Sequence, residues 1–183
     1  MMRLRREDSL LLVVDVQEKL APHVMDHERL SARCAVLARA AAALGIPAFA
    51  SEHCPDRIGA TIPALRELFA PDAVLRKTYF SCADQPGVVE RLAGAGRSQV
   101  LVAGMEAHVC VMQTALGLAQ KGFEVFLARD AVGSRRAEDR AAALDRLDHA
   151  GCAAATTEMA LFEWLHRADA PEFRALLGLV KAL

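Results

Sequence analysis

The feature that most restricts this chain is its rhythm: short, unbroken apolar runs separated by longer stretches of helical periodicity. Leu10, Leu11, Leu12, Val13 and Val14 follow one another with no polar break, the pattern of a strand covered on both faces. Further runs at residues 46–50, 73–75, 99–103, 124–127 and 153–156 read as strands. Between and after them, residues 28–44, 63–69, 87–95, 109–121, 137–149, 159–166 and 171–181 read as helices. Gly45, Gly122 and Gly151 stand where three of these helices should stop. Strands alternating with helices pair in parallel through crossovers. The expected architecture is therefore a three-layer α/β/α domain over residues 1–183, with a six-stranded parallel sheet. Such sheets bind ligands beyond the carboxyl ends of their strands, where strand order reverses.

Composition excludes several classes of function. The net charge of −1 gives no electrostatic footprint for nucleic acid or an anionic membrane. No stretch approaches the roughly 18 apolar residues that span a bilayer, and the run at 10–14 is too short for an export signal. A cytoplasmic protein is the expectation. Five cysteines, Cys34, Cys54, Cys82, Cys110 and Cys152, are an odd number without CxxC spacing. A disulfide framework or zinc site is not expected from them.

Three strand ends carry chemistry. Asp15 closes the first apolar run, where a carboxylate is costly without a partner or a task; it is a structural cap or ion pair, or a general base. Lys77 follows the third run and is a solvated strand-end lysine or a cation that balances negative charge. Cys110 lies at the start of the helix after the fourth strand. There free N–H groups and the helix dipole should lower a thiol pKa and receive an oxyanion. A buried structural cysteine is equally compatible with that position. His108 sits in the turn before it.

Taken together, Leu11-Leu12-Val13-Val14-Asp15-Val16-Gln17, Arg76-Lys77-Thr78-Tyr79-Phe80-Ser81 and Gly104-Met105-Glu106-Ala107-His108-Val109-Cys110-Val111 resemble the isochorismatase-like cysteine hydrolases. Asp130-Ala131-Val132-Gly133-Ser134-Arg135 and Thr157-Glu158 extend the resemblance over nearly the whole chain. It implies a catalytic triad of Asp15, Lys77 and Cys110, and a cis peptide between Met105 and Glu106 that aims a backbone N–H at the oxyanion. Glu106 and Cys110 would supply the oxyanion donors. Gln17-Glu18-Lys19, the segment 59–65 and Glu106 are most similar to small isochorismatase-domain proteins of undefined substrate. The cysteine favours acyl chemistry on a small amide or related carbonyl compound through a thioester. Nicotinamidases of the family build a metal site on Asp-x-His, which here reads Ser51-Glu52-His53; no metal or cofactor is expected.

Gln17, Leu20, His53, Cys54, Tyr79 and Phe80 are the candidate pocket residues, and a small molecule is the expected partner. The family resemblance and the apolar C-terminal helices also point to a homo-oligomer, although those helices would equally complete the monomer's own outer layer. A catalytically silent protein and a thiol-redox protein using Cys110 with Cys54 or Cys82 are the competing readings.

Overall fold

The computed structural model describes residues 3–181 and 183. Six parallel strands form one sheet in the order β3-β2-β1-β4-β5-β6. They are β1 (Ser9–Val14), β2 (Ala48–His53), β3 (Val74–Lys77), β4 (Gln99–Met105), β5 (Glu124–Gly133) and β6 (Ala153–Ala155). Alternate residues of β1 serve the two faces, as the period of a strand requires. Leu11 and Val13 join one core cluster with α1 (His27–Leu44), α7 (Thr157–Leu165) and α8 (Phe173–Val180). Leu10, Leu12 and Val14 join the other with α4 (Val88–Ala93), α5 (Met112–Gln120) and α6 (Ala137–His149). Every residue of β1 is buried, which explains why its sequence shows no polar alternation. Two short helices, α2 (Pro55–Ile58) and α3 (Pro63–Arg66), lie in the stretch between β2 and β3. No helix among the described residues is long and apolar enough to cross a membrane.

The element boundaries depart from the sequence-based expectation where polar residues find partners. The second strand was expected at 46–50, but β2 runs to His53. Ser51 and Glu52 can enter the sheet because Ser51 Oγ donates to Asp15 and Glu52 Oε1 accepts from Thr61 N (2.8 Å) and Oγ1 (2.9 Å). Strand β5 continues past the expected 127 to Gly133, with a register shift against β4 between Val102 and Gly104. The helix expected at 109–121 begins instead with a π-helical turn, Ala107–Val111, and becomes α-helical at Met112. Helix α6 matches its expected span. Gly45 ends α1 at φ 65°, its N–H bonded to Ala41 O and Ala42 O, the left-handed stop that glycine adopts without a Cβ clash.

The sheet order turns at β1, with β2 on one side and β4 on the other. That is where ligands gather in open α/β sheets, and the segments leaving β1 and β4 meet there. Gly104 makes the approach possible. Its φ is +115°, and a Cβ on it would lie 2.1 Å from Val14 O, so only glycine lets the end of β4 lie against the end of β1.

Candidate active site

Asp15 is fully buried and left-handed, at φ 51°. Its N–H donates to Ser51 O at 3.1 Å, so the chain leaves β1 while still tied to β2. Both carboxylate oxygens are engaged: Ser51 Oγ donates to Oδ1 at 2.6 Å, and Lys77 Nζ donates to Oδ2 at 2.6 Å. Lys77 is the last residue of β3, two strands from β1, and its side chain crosses that gap with no solvent exposure at either partner. The ammonium also donates to Tyr79 O (3.2 Å) and Phe80 O (3.0 Å). All three of its donors are thereby used. Burial by itself would push this ammonium towards neutrality, but the Asp15 carboxylate holds its pKa above the ordinary lysine value.

Cys110 is nearly buried, in the π-helical turn after β4. Both members of the Asp15–Lys77 pair act on the ionisation of its thiol. Burial, then the Asp15 carboxylate, raises the thiol pKa, and Lys77 opposes them. The sequence-based expectation of a thiol lowered by a helix start is corrected here. The residue lies in a π turn instead of the first turn of a regular helix, and desolvation outweighs the neighbouring cation. The peptide bond between Met105 and Glu106 is cis. Glu106 Oε1 accepts from Arg135 Nε at 2.9 Å and Arg135 N at 3.3 Å.

The other expected pocket residues have distinct fates. Gln17 is buried, and its amide bridges three backbone groups: it donates to His53 O (3.1 Å) and Gly59 O (2.6 Å) and accepts from His53 N (2.7 Å). This clamps the loop after β1 to the end of β2. Leu20 packs against the core on the α1 side. The rings of His53 and Phe80 stack with centroids 5.2 Å apart. Tyr79 and Phe80 are each 52 % exposed beside the Lys77 ammonium that holds their carbonyls. Cys54 lines a cavity of about 590 Å³ with Arg57, Arg76 and Lys77.

Three residues near the triad were not singled out from sequence. Ser51 falls outside the strand expected at 46–50 because the apolar run ends at Ala50; its role is visible only through the register that sets it beside Val14. Thr114, on α5, accepts from Cys82 N at 2.9 Å. Arg135 was seen only as part of a motif, without the Glu106 contact. Cys82, the candidate redox partner of Cys110, is fully buried, and the hydroxyls of Ser51 and Thr114 act on its thiol. No group of three or more His, Cys, Asp or Glu side chains among the described residues has the geometry of a metal site.

Residues 9–159 match the Isochorismatase domain family. The chain belongs to the isochorismatase family. Isochorismatase domain-containing protein 2 of Danio rerio is 35 % identical over 180 residues, 97 % of this chain and 89 % of that protein. Among solved structures, one described as MAR1 ribonuclease from Caenorhabditis elegans superposes with a TM-score of 0.92 at 32 % identity, covering 98 % of this chain and 93 % of that one. YcaC from Pseudomonas aeruginosa, solved with hexane-2,5-diol and covalent acrylamide, gives 0.89 at 28 % identity over 97 % and 91 % of the two chains. The six-stranded parallel sheet covered on both faces is the isochorismatase-like hydrolase fold, and this isochorismatase-family chain carries Asp15, Lys77 and Cys110 together at its sheet switch point.

Proposed function

We propose that this isochorismatase-family protein is a cysteine hydrolase of a small amide or related carbonyl compound, acting through a thioester on Cys110. The observation that carries the reading is the buried Asp15–Lys77 ion pair at the sheet switch point, whose two charges act on the buried Cys110 thiol in the turn after β4. A thiol whose pKa is raised by burial needs a base at the moment of attack, and Asp15 is the carboxylate beside it. In the proposed reaction Asp15 takes the thiol proton as sulfur bonds to the carbonyl carbon and the C=O pair moves onto oxygen. Lys77 keeps the site from accumulating uncompensated negative charge. The backbone N–H groups of Glu106 and Cys110 would receive the oxyanion; one such donor is worth about 2.7–4 kcal/mol. Collapse of the intermediate breaks the C–N bond, and protonated Asp15 gives its proton to the leaving amine. Water, deprotonated by Asp15, then cleaves the thioester to release the acid and restore the thiol. The covalent acrylamide in the YcaC structure supports this class of chemistry, since acrylamide is an electrophile that thiolates attack.

The test is a panel of small amides assayed for ammonia release, with intact-mass measurement of the protein during turnover. Acylation of wild type and its loss in Cys110→Ala support the reading; full turnover by Cys110→Ala removes it.

One observation favours a second reading, thiol-redox chemistry. Cys82 and Cys110 are both buried, and the charges of Asp15 and Lys77 act on both thiols. Mass spectrometry after mild peroxide separates the readings: a reversible Cys82–Cys110 disulfide supports redox chemistry, and unlinked thiols oppose it.

A further inference from the structure

We propose that the cavity between the N-terminal ends of α1 and α6 is a binding site for a phosphate group, free or carried by a small molecule. It encloses about 290 Å³ and includes none of Asp15, Lys77 or Cys110 in its wall. Four guanidinium groups line it, from Arg29, Arg33, Arg136 and Arg140, against two carboxylates, Asp26 and Asp130. The formal balance of these side chains is 4 − 2 = +2, the opposite sign to the chain as a whole.

The carboxylates are already engaged. Asp26 pairs with Arg29 at 3.1 Å and Asp130 with Arg33 at 3.2 Å. The second oxygen of Asp130 accepts from Thr157 N (2.7 Å) and Thr157 Oγ1 (3.1 Å). Arg140 donates to neutral acceptors, Val132 O at 2.9 Å and Arg129 O. Its pKa is lowered by burial first, and then by Arg129 and Arg29. The Arg136 carbonyl accepts from Arg140 N at 3.2 Å, and its exposed side chain is left to solvent. The Arg33 Nε is buried with no acceptor among the described residues, whereas buried donors usually have one. A tetrahedral anion supplies several acceptor oxygens to such planar donors at once, and the guanidinium fork matches phosphate geometry. The wall also includes Ala137, where α6 begins without a side-chain cap, so the positive end of that helix adds to the attraction. Glu138 and Asp139 of the same turn are outside the wall.

The site adjoins the segment that carries Cys110: Val132 and Gly133 of its wall pair with Gly104 and Met105 of β4. Ser134 lines the cavity, and its Oγ lies 3.0 Å from His108 Nδ1, in the turn that carries Cys110. The proposal does not depend on acyl chemistry, because its readout is binding.

Titration calorimetry with inorganic phosphate and with pyrophosphate, at fixed ionic strength, tests it. The expected result is one saturable site per chain whose affinity falls as salt is raised. Arg33→Gln and Arg136→Gln should each weaken binding by about tenfold, the loss of one charge-assisted hydrogen bond. Arg174→Gln, distant in sequence on α8, should bind like wild type. Circular dichroism of the variants checks that the fold persists; Arg136, with its exposed side chain, is the substitution least able to disturb it. Absence of saturable heat with both anions at millimolar concentration overturns the proposal. So does equal weakening by Arg174→Gln, which would mean diffuse surface attraction. A change of oligomeric state in Arg136→Gln without any anion binding would assign the arginines to a subunit contact and reject the site.

Discussion

Ser51 Oγ and Lys77 Nζ hold the two oxygens of Asp15 from separate strands, each at 2.6 Å. The proposed base is thus fixed by β2 on one oxygen and β3 on the other, in a place with no solvent to take over either bond. Removing the hydroxyl should leave Oδ1 buried and unpaired. Ser51→Ala is expected to cost about 1.5–3 kcal/mol of stability, the range for a hydrogen bond to a charged group, and to slow turnover. Denaturant midpoints and kcat on an identified amide measure both; wild-type values for both would show that Ser51 does not fix the base.

Breaking the ion pair from one side should cost more than removing both partners. Lys77→Met strands a buried carboxylate, and about 3–5 kcal/mol is expected from that alone. The double variant Asp15→Asn with Lys77→Met should recover a large part of this loss while remaining inactive. Urea titration of the four proteins in the cycle reads the coupling directly. If the double variant were as unstable as the sum of the singles, the two groups would not act as a pair.

Alkylation should report the link between Asp15 and Cys110. Burial keeps this thiol protonated near neutral pH, so its reaction with iodoacetamide should need the neighbouring base. If Asp15 takes the thiol proton, Asp15→Asn slows labelling of Cys110 by about tenfold or more; because the same carboxylate also raises the thiol pKa, faster labelling would show that it acts on Cys110 only as a charge and would remove it as the base. Cys54, half-buried in the wall of the cavity after β2, should label at an unchanged rate. Peptide mass mapping over time distinguishes the sites; equal slowing at both would indicate a loosened fold.

Alkaline pH should unfold the protein through its thiols. Burial raises Cys34 to about 12, and burial also raises Cys82, Cys110 and Cys152. An unfolded thiol ionises near about 8.5. Below that pH both states hold their protons and the stability is fully present. Above it the unfolded chain binds fewer protons than the folded one, so stability falls with rising pH, for Cys34 between about 8.5 and about 12. Lys77, whose pKa is also raised, adds a loss only at still higher pH, above its unfolded value of about 10.4. Urea midpoints should be flat below pH 8.5 and decline above it, less steeply in Cys34→Ala. A decline of equal slope in that variant would remove Cys34 as a contributor.

Gly104→Ala should be the most damaging small substitution near the site. The residue would hold a left-handed φ, at about 1–3 kcal/mol, and force a Cβ into Val14 O, at about 1–3 kcal/mol more. Loss of soluble, cooperatively unfolding protein is the expected outcome, and a melting curve like wild type would mean that the two strand ends can separate freely.

The sequence by itself determined the layers, the parallel sheet and the strand-end positions of Asp15 and Cys110. These follow from local, periodic signals: unbroken apolar runs for doubly covered strands, amphipathic stretches for helices, and polar residues where an apolar run stops. Tertiary structure alone decided which polar residues could continue a strand, because that depends on partners distant in sequence. Ser51 and Glu52 extend β2 only through Asp15 and Thr61, and Arg129 and Asp130 lie within β5 with Asp148, Arg33 and Thr157 to meet them. Tertiary structure also decided the state of Cys110. Its position suggests a thiol acidified by a helix start, whereas burial and then the Asp15 carboxylate raise its pKa against the opposing Lys77. Ionisation energy is set by what surrounds a group in space, and a one-dimensional pattern records only what precedes and follows it.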